Sequence, residues 1–373
     1  QAPQATNVPK NMAAWNRKID SEKDAVWPLD QSDGGCDNQP KCSMDRAMDR
    51  HQTAVIEIHN QDAISDSGVE CWNLFEERGI ENVILVGVHT NMCVIGRPFG
   101  LRNMTRVGKN VLLVRDLTDT MYNPRKSPFV THVRRTELII EYIEKFVCPT
   151  IVSSDLLGGP AARFREDSRP HVAFIVSDDH YKADTTLPKF AQMLRDRFGC
   201  YCTVLHGEGE PDIHGLDELE KADVAIIYVR RLALPPEQLS KIRKFIGDGK
   251  PLVGLRTASH AFSVRGTAPA GRAQWPEFDN DVLGGSYHGH APNDPGSDVI
   301  TVAEVADHPI LAGAEPTAWH STGSLYFVSP IDPKATILLK GKCEDTTEPL
   351  LWTREIDGQR IVYNALGHWD DFQ

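Results

Sequence analysis

The chain has 373 residues, a formal net charge of -12 and 25% charged residues. That acidity argues against nucleic acid or an anionic membrane surface as partner, since both repel a negative protein and no basic cluster offsets it. Hydrophobic residues make up 40% of the chain without any run long enough to span a bilayer, which describes a globular protein with room for two domains.

Residues 1–52 are polar, rich in Asn, Asp, Lys and Pro, and read as an irregular arm anchored by Trp15 and Trp27. An arm this long is expected to wrap the first domain or a partner subunit, which favours a homo-oligomer. Eight cysteines do not make a disulfide scaffold in a chain of this length. Cys36 and Cys42 lie close together in a loop. They suit a small disulfide, or a pair of zinc ligands that lacks a second pair; the disulfide reading places the protein in the periplasm or outside the cell. Cys71, Cys148, Cys200 and Cys202 sit in apolar contexts and read as core. Both ends look trimmed: Gln1-Ala-Pro begins as if inside a loop, and Asp371-Phe-Gln373 stops where a closing helix is expected.

Residues 53–58 read as a strand and 66–78 as a helix carrying Val69, Trp72, Leu74 and Phe75 on one face. The apolar run 83–88 predicts a strand buried in a parallel sheet. His89, Thr90 and Asn91 break the run, and Cys93 follows where a helix is expected to begin. Backbone N–H groups and the helix dipole there favour a thiolate, and the same amides can hold an oxyanion. A strand over 110–116, a loop over 116–124 and an amphipathic helix over 131–146 complete an α/β domain at 53–150.

This stretch resembles the cysteine hydrolases of the isochorismatase and nicotinamidase superfamily, through Gly87, Val88, Thr90, Asn91, Cys93 and Val94 in order. The resemblance implies a three-layer α/β/α fold with a mainly parallel sheet. It implies an amidase-type hydrolase with Cys93 as nucleophile and Thr90 and Asn91 beside it. The family triad also needs an Asp on a preceding strand and a Lys. The segment 56–64 holds no Lys, and no apolar run precedes Cys93 at the right distance. Two explanations stay open: a domain that has lost its chemistry, or a first strand outside this sequence.

Residues 151–169 form a linker with turn formers at Gly158-Gly-Pro160, and a fresh α/β series fills 170–373. Strands at 172–176, 201–205, 224–229 and 252–255 alternate with helices at 185–198 and 235–246. This predicts a second three-layer domain of flavodoxin-like type. Past Pro276 come strands at 298–305, 335–340, 350–356 and 360–365, the last two joined by an Asp357-Gly358 hairpin turn.

Four segments of this half resemble the trehalose-utilisation (ThuA-like) family of the class I glutamine-amidotransferase-like superfamily. They are Gly254-Leu-Arg-Thr-Ala-Ser-His-Ala-Phe262, Gly284-Gly-Ser-Tyr-His-Gly-His290, Asp307-His-Pro-Ile310 and Arg360-Ile-Val-Tyr-Asn-Ala-Leu-Gly-His368, with Asp370 just beyond. The resemblance implies a flavodoxin-like fold and a part in sugar metabolism. Amidotransferases carry a Cys at the turn where this chain has Arg256, so a glutaminase is excluded. The Asp-Glu-x-Tyr segment of relatives is replaced here by Gly323-Ser-Leu-Tyr326.

The candidate ligand-binding residues are Arg256, Ser259, His260, Tyr287, His288, His290, His320, Tyr326, His368 and Asp370, all in loops or at strand ends. His288-x-His290 offers two donors for a divalent metal; the other reading of these histidines is loop hydrogen bonding. Trp275, Tyr287, Trp319, Tyr326 and Trp369 suit stacking on a sugar or packing in a core. Three functions follow: a sugar-handling protein of carbohydrate catabolism, a hydrolase of amides through Cys93, or a non-catalytic assembly protein retaining both folds.

Overall fold

The computed structural model describes residues 7–15, 18–38, 55–165, 167–177, 180–207, 212–314, 318–368 and 371. The chain separates into two compact units, Gln1–Asp167 and Ser168–Gln373. Among the described residues no helix is long and apolar enough to cross a membrane.

Unit 1 holds a small parallel sheet of β1 (Asn82–Val88), β2 (Asn110–Asp119) and β3 (Thr150–Ile151), in that order. Helices α1 (Gly68–Arg78), α2 (Leu101–Arg106), α3 (His132–Phe146) and α4 (Ser153–Leu157) accompany it. Ser67 caps α1 and Thr131 caps α3, each accepting from a backbone N–H three residues on. The segment expected as a linker therefore begins with β3 and α4. Asp116 in β2 holds it, accepting from Ser153 N at 2.8 Å and Ala162 N at 2.7 Å.

Two expectations fail here. Among the described residues β1 is an edge strand bonded to β2, and its alternate residues Ile84, Val86 and Val88 are exposed, Val88 by 59%. One face of β1 packs on the core through Val83 and Leu85 and the other is open, whereas a strand buried in a parallel sheet is covered on both. The expected strand at 53–58 does not form over its described part. Val55, Ile56 and Ile58 are exposed and, among the described residues, have no pairing strand. Cys42 lies outside the described residues, so the Cys36–Cys42 pairing does too.

The arm is held by buried chemistry. Arg102 of α2 donates to Glu22 through Nε at 2.8 Å and Nη2 at 2.6 Å. Tyr142 of α3 donates to the same carboxylate at 3.0 Å. Trp27 stands edge-on to Tyr142, with ring centroids 4.8 Å apart, and covers the Arg102 guanidinium. Burial, helped by the Glu22 hydrogen bond and charge, pushes the Tyr142 phenol up to about 12. Met12, Ile19 and Leu29 add apolar anchors.

Unit 2 is built on β4 (His171–Val176), β5 (Tyr201–His206), β6 (Val224–Tyr228), β7 (Leu252–Leu255), β8 (Gly289–His290), β9 (Ser297–Thr301), β10 (Ala318–Ser321), β11 (Tyr326–Phe327), β12 (Thr336–Cys343), β13 (Thr346–Ile356) and β14 (Gln359–Asn364). Nine of these form one sheet in the order β10-β9-β12-β13-β14-β7-β6-β4-β5. The run from β14 to β5 is parallel, and β9, β10, β12 and β13 extend it antiparallel. β8 and β11 make a separate antiparallel ribbon pairing His290 with Tyr326. The Asp357-Gly358 turn closes the β13–β14 hairpin with both residues at positive φ, 48° and 86°.

The layering follows from alternation along β4. Val172, Phe174 and Val176 pack with Leu187 and Ala191 of α5 (Ala183–Phe198). Ala173 and Ile175 face the other way, into the core that includes Leu239, Ile242 and Phe245 of α6 (Pro236–Gly247). Helices on both faces of a mainly parallel sheet make unit 2 an α/β sandwich, as its sequence predicts. β4 lies between β5 and β6, so the chain reverses direction across the sheet at β4 and β6. Ligands of such sheets bind outside the carboxyl ends of the strands at that point.

Glu22→Gln leaves the Arg102 charge buried without its partner and is expected to cost about 3 kcal/mol of unit 1 stability. Urea denaturation followed by amide exchange across α2 and α3 measures it. A loss below about 1 kcal/mol, as exposed ion pairs show, would contradict the anchoring role.

Candidate functional site

At the carboxyl end of β7 the chain turns sharply. Arg256 takes φ 40°, and a short helical turn, Arg256–His260, follows. Arg256 is 1% exposed. Its Nη1 donates to Ala365 O at 2.9 Å, just past β14, and its Nη2 to Ser324 Oγ at 3.0 Å. Its guanidinium lies 4.6 Å from the Tyr181 ring centroid and 4.2 Å from that of Tyr326. Burial works against this cation, but the neighbouring tyrosines Tyr326 and Tyr181 outweigh it and hold its pKa above the ordinary value. Arg256 thus ties the ends of β7 and β14 together and supports two aromatic rings.

Around this post stands a connected shelf of rings. Tyr326 and Tyr287 have centroids 4.5 Å apart, and His260 is 4.5 Å from Tyr287 and 6.1 Å from Tyr326. His290 lies 6.2 Å from Tyr287, and His368 lies 5.1 Å from Tyr181. The Tyr181 and Tyr326 hydroxyls are 3.4 Å apart. Of the positive-φ residues other than glycine, Tyr181, Lys182, Arg231 and Arg256 all belong to loops at this rim. Conformations this costly persist where the surroundings enforce them, which is common at functional sites.

Tyr287 reaches the shelf through a packed glycine pair. Trp352 donates to Leu283 O at 2.8 Å, and Arg354 donates to the carbonyls of Asn280, Asp281 and Val282. Gly284 has φ 83°, and a Cβ there would sit 3.0 Å from the Arg354 side chain. A Cβ at Gly285 would sit 3.0 Å from Trp352. Only a chain without side chains passes this close. Tyr287 N then donates to Ser259 O at 3.1 Å, fixing the ring beside His260.

His260 is 5% exposed, and its Nδ1 has no hydrogen-bond partner among the described residues. Burial, then the charges of Arg231, Arg230, His180 and Arg256, hold its pKa down at about 3, so the imidazole is neutral at ordinary pH. Tyr326 is shifted up by burial against the opposing charge of Arg256, which keeps its hydroxyl a donor. Asp279 is raised by burial, and its Oδ2 accepts from Ser286 Oγ at 2.6 Å.

The expected site residues therefore separate into groups. Arg256, His260, Tyr287, His290, Tyr326 and His368 come together. Ser259 is buried, and its hydroxyl lies between Tyr363 Oη at 2.9 Å and Arg256 O at 3.1 Å, so it braces the turn instead of facing a ligand. His320 stands apart on the edge strand β10, between Asp298 at 2.8 Å and Pro295 O at 2.8 Å. His288 turns toward Phe327 while His290 turns toward Tyr287 and Tyr326. Among the described residues no group of three or more His, Cys, Asp or Glu is placed to hold a metal. The metal reading of His288 and His290 thus finds no third ligand there. Asp370 and Trp369 lie outside the described residues. Asp371 is the acid that orders the last loop, accepting from Gly367 N, His368 N and Ser321 Oγ.

Tyr181, His180, Arg230, Arg231 and Asp279 were not singled out by the sequence reading. The strand-end rule was the available signal, because Arg230 and Arg231 follow β6 and Tyr181 follows β4 at the sheet's reversal point. The groove over β9 and β12, lined by Ile300, Thr301, Lys340 and Lys342 among others, contains no ring or histidine. Its polar groups are Lys340, Lys342, Glu304, Thr301 and Thr347, with no aromatic face beside them.

In unit 1, Cys93 is a free, half-buried thiol in the single helical turn Thr90–Val94. The helical segment expected there is present but short. Pro98 and Gly100 intervene before α2, so a five-residue turn supplies only a short dipole. Thr90 bonds to Thr118 Oγ1 at 2.6 Å. Asn91 donates to Met121 O at 2.9 Å and accepts from Met121 N at 3.1 Å. Both side chains pin the turn to the end of β2.

The sequence profile of the trehalose utilisation (ThuA) family matches residues 173–372. The chain belongs to that family, which gives it a carbohydrate-related role. Solved structures similar to it include a ThuA-like protein from Bacteroides uniformis, 16% identical, covering 57% of this chain and 88% of its own, with a TM-score of 0.40. Another, from Parabacteroides merdae, is 16% identical over 54% of this chain and 80% of its own, with a TM-score of 0.41. A third is the carbohydrate deacetylase Agd3, 13% identical over 54% of this chain and 30% of its own, with a TM-score of 0.35. No curated protein matches the chain.

The depressed His260 pKa links folding to pH. The unfolded imidazole binds a proton below about 6.5 and the folded one does not, so its contribution is complete above 6.5 and lost as pH falls toward 3. Between pH 6.5 and 4.5 unit 2 should lose on the order of 2 kcal/mol. Replacement by glutamine should flatten that part of the profile. A His260 imidazole signal, assigned by its loss in the glutamine variant, that titrates near pH 6.5 would contradict the buried, neutral assignment.

Proposed function

We propose that unit 2 binds and processes a saccharide at the carboxyl rim of its sheet, as part of carbohydrate catabolism. The shelf formed by Tyr287, Tyr326 and His260 carries this reading. A sugar presents flat C–H faces and a fringe of hydroxyls. Aromatic faces with a few convergent polar groups beside them are what such a ligand needs. The ThuA family membership supports the same ligand class.

Roles follow from the chemistry of each side chain. Tyr287, the partly exposed ring, offers a face, and Tyr326 is packed behind it. His260, neutral and with Nδ1 unpartnered among the described residues, is the acceptor for a sugar hydroxyl. The Tyr326 hydroxyl is a donor. Arg256 is a positioning residue, since it lies beneath the rings and acts through them.

A second reading concerns unit 1 and the isochorismatase-like resemblance of residues 81–100. The half-buried thiol of Cys93 follows the carboxyl end of a parallel strand, with Thr90 and Asn91 fixing the turn. In this reading Cys93 attacks an amide carbonyl, the C–N bond breaks and the amine leaves with the thiol proton, and water then hydrolyses the thioester to a carboxylic acid and the free thiol.

Titration calorimetry with glucose and trehalose should detect binding, weakened about tenfold or more by Tyr287→Ala through the loss of one stacking face. Silence with both, and with charged sugars as well, would remove the saccharide reading. Iodoacetamide at neutral pH should modify Cys93 well before Cys71, whose thiol burial pushes up. Equal or slower labelling of Cys93 would retire the second reading.

A further inference from the structure

The rim of unit 2 concentrates positive charge in a chain whose formal net charge is -12. Arg230 and Arg231 leave the end of β6 side by side. Arg230 N donates to Ser177 Oγ at 3.1 Å, and Arg231, at φ 46°, donates its N–H to the His260 carbonyl at 2.9 Å. These bonds hold Arg230 to the loop after β4 and Arg231 to the loop that carries His260. The Arg231 guanidinium lies 6.0 Å from the Tyr287 ring centroid. The charges of Arg265 and Arg230 act on Arg231, and those of His180 and Arg256 join them at His260.

Neutralising groups are scarce. Among the described residues, Arg230, Arg231, Arg256 and Arg265 make no ion pair with a carboxylate. Asp279 is the acid that acts on Arg231, and it is buried, engaged by Ser286 and itself pushed toward the neutral form. Holding several cations together, partly out of water and without counter-charge, is unfavourable. A bound anion would relieve it, and guanidinium groups suit carboxylate and phosphate oxygens. Beside them, the His260 Nδ1 is a buried polar atom with no partner among the described residues.

We propose that the saccharide taken by unit 2 carries an anionic group, a carboxylate or a phosphate, which seats against Arg230, Arg231 and Arg265 while the sugar ring lies on Tyr287. This rests on the saccharide reading above and narrows its ligand class. Arg256 has no direct part in it, since it is committed to Ser324, Ala365 and the tyrosine faces.

Titration calorimetry on the intact chain tests it with glucose, glucuronate, glucose 6-phosphate and inorganic phosphate, at about 50 mM and about 300 mM salt. At least one acidic sugar should bind about tenfold tighter than glucose, and the comparison of glucuronate with glucose 6-phosphate assigns the anionic group. The preference should shrink at the higher salt and fall toward unity in Arg231→Gln and in Arg265→Gln, the latter at an exposed residue where folding is not at stake. Glucose binding as well as or better than both acidic sugars would overturn the anionic inference and leave the saccharide reading standing. Binding of inorganic phosphate without any sugar, or of nothing at all, would overturn both.

Discussion

The guanidinium of Arg256 is the constraint on which unit 2's rim depends. It fills the space between the ends of β7 and β14, takes carbonyl and hydroxyl oxygens from Ala365 and Ser324, and presses its faces on Tyr181 and Tyr326. Removing it would leave a buried hole lined by oxygens with no donor, and two rings without support. In amidotransferases this turn presents a nucleophile. Here the same sharp backbone holds a cation pointing inward. One helical turn along stands His260, and across from it the rings of Tyr287 and Tyr326.

That arrangement explains why the histidines of this half are not equivalent. His260 is buried, surrounded by positive charge and held neutral. His320 pairs with Asp298 on an exposed edge, and that hydrogen bond, against a smaller effect of burial, raises its pKa above the ordinary value. The two rings have opposite electrostatics because one faces guanidinium groups and the other a carboxylate. The histidines of this half therefore divide between a buried neutral ring and a ring that braces an edge strand.

Much of unit 2 was legible in its sequence. Apolar runs of four to six residues between turn formers marked β4 to β7, and the Asp357-Gly358 turn marked the last hairpin. The two-residue strands β8 and β11 and the edge strand β10 were not, because segments so short carry no periodicity. Arg256, His260, Tyr287 and Tyr326 stood out as residues, but their division of labour did not. Nothing in the order of letters says that Ser259 faces Tyr363 or that Arg256 lies under the rings. Unit 1 was harder. Its apolar strand at 82–88 looked like a buried one, and only the pairing order reveals an edge. The buried Glu22–Arg102 pair joins residues 80 positions apart, beyond the reach of local pattern.

The most direct measurement is a crystal structure of the chain soaked with trehalose. The account predicts a sugar ring lying over Tyr287, with a hydroxyl within hydrogen-bond reach of His260 Nδ1. Sugar found only elsewhere on the surface, with Nδ1 bonded to a protein group, would contradict it.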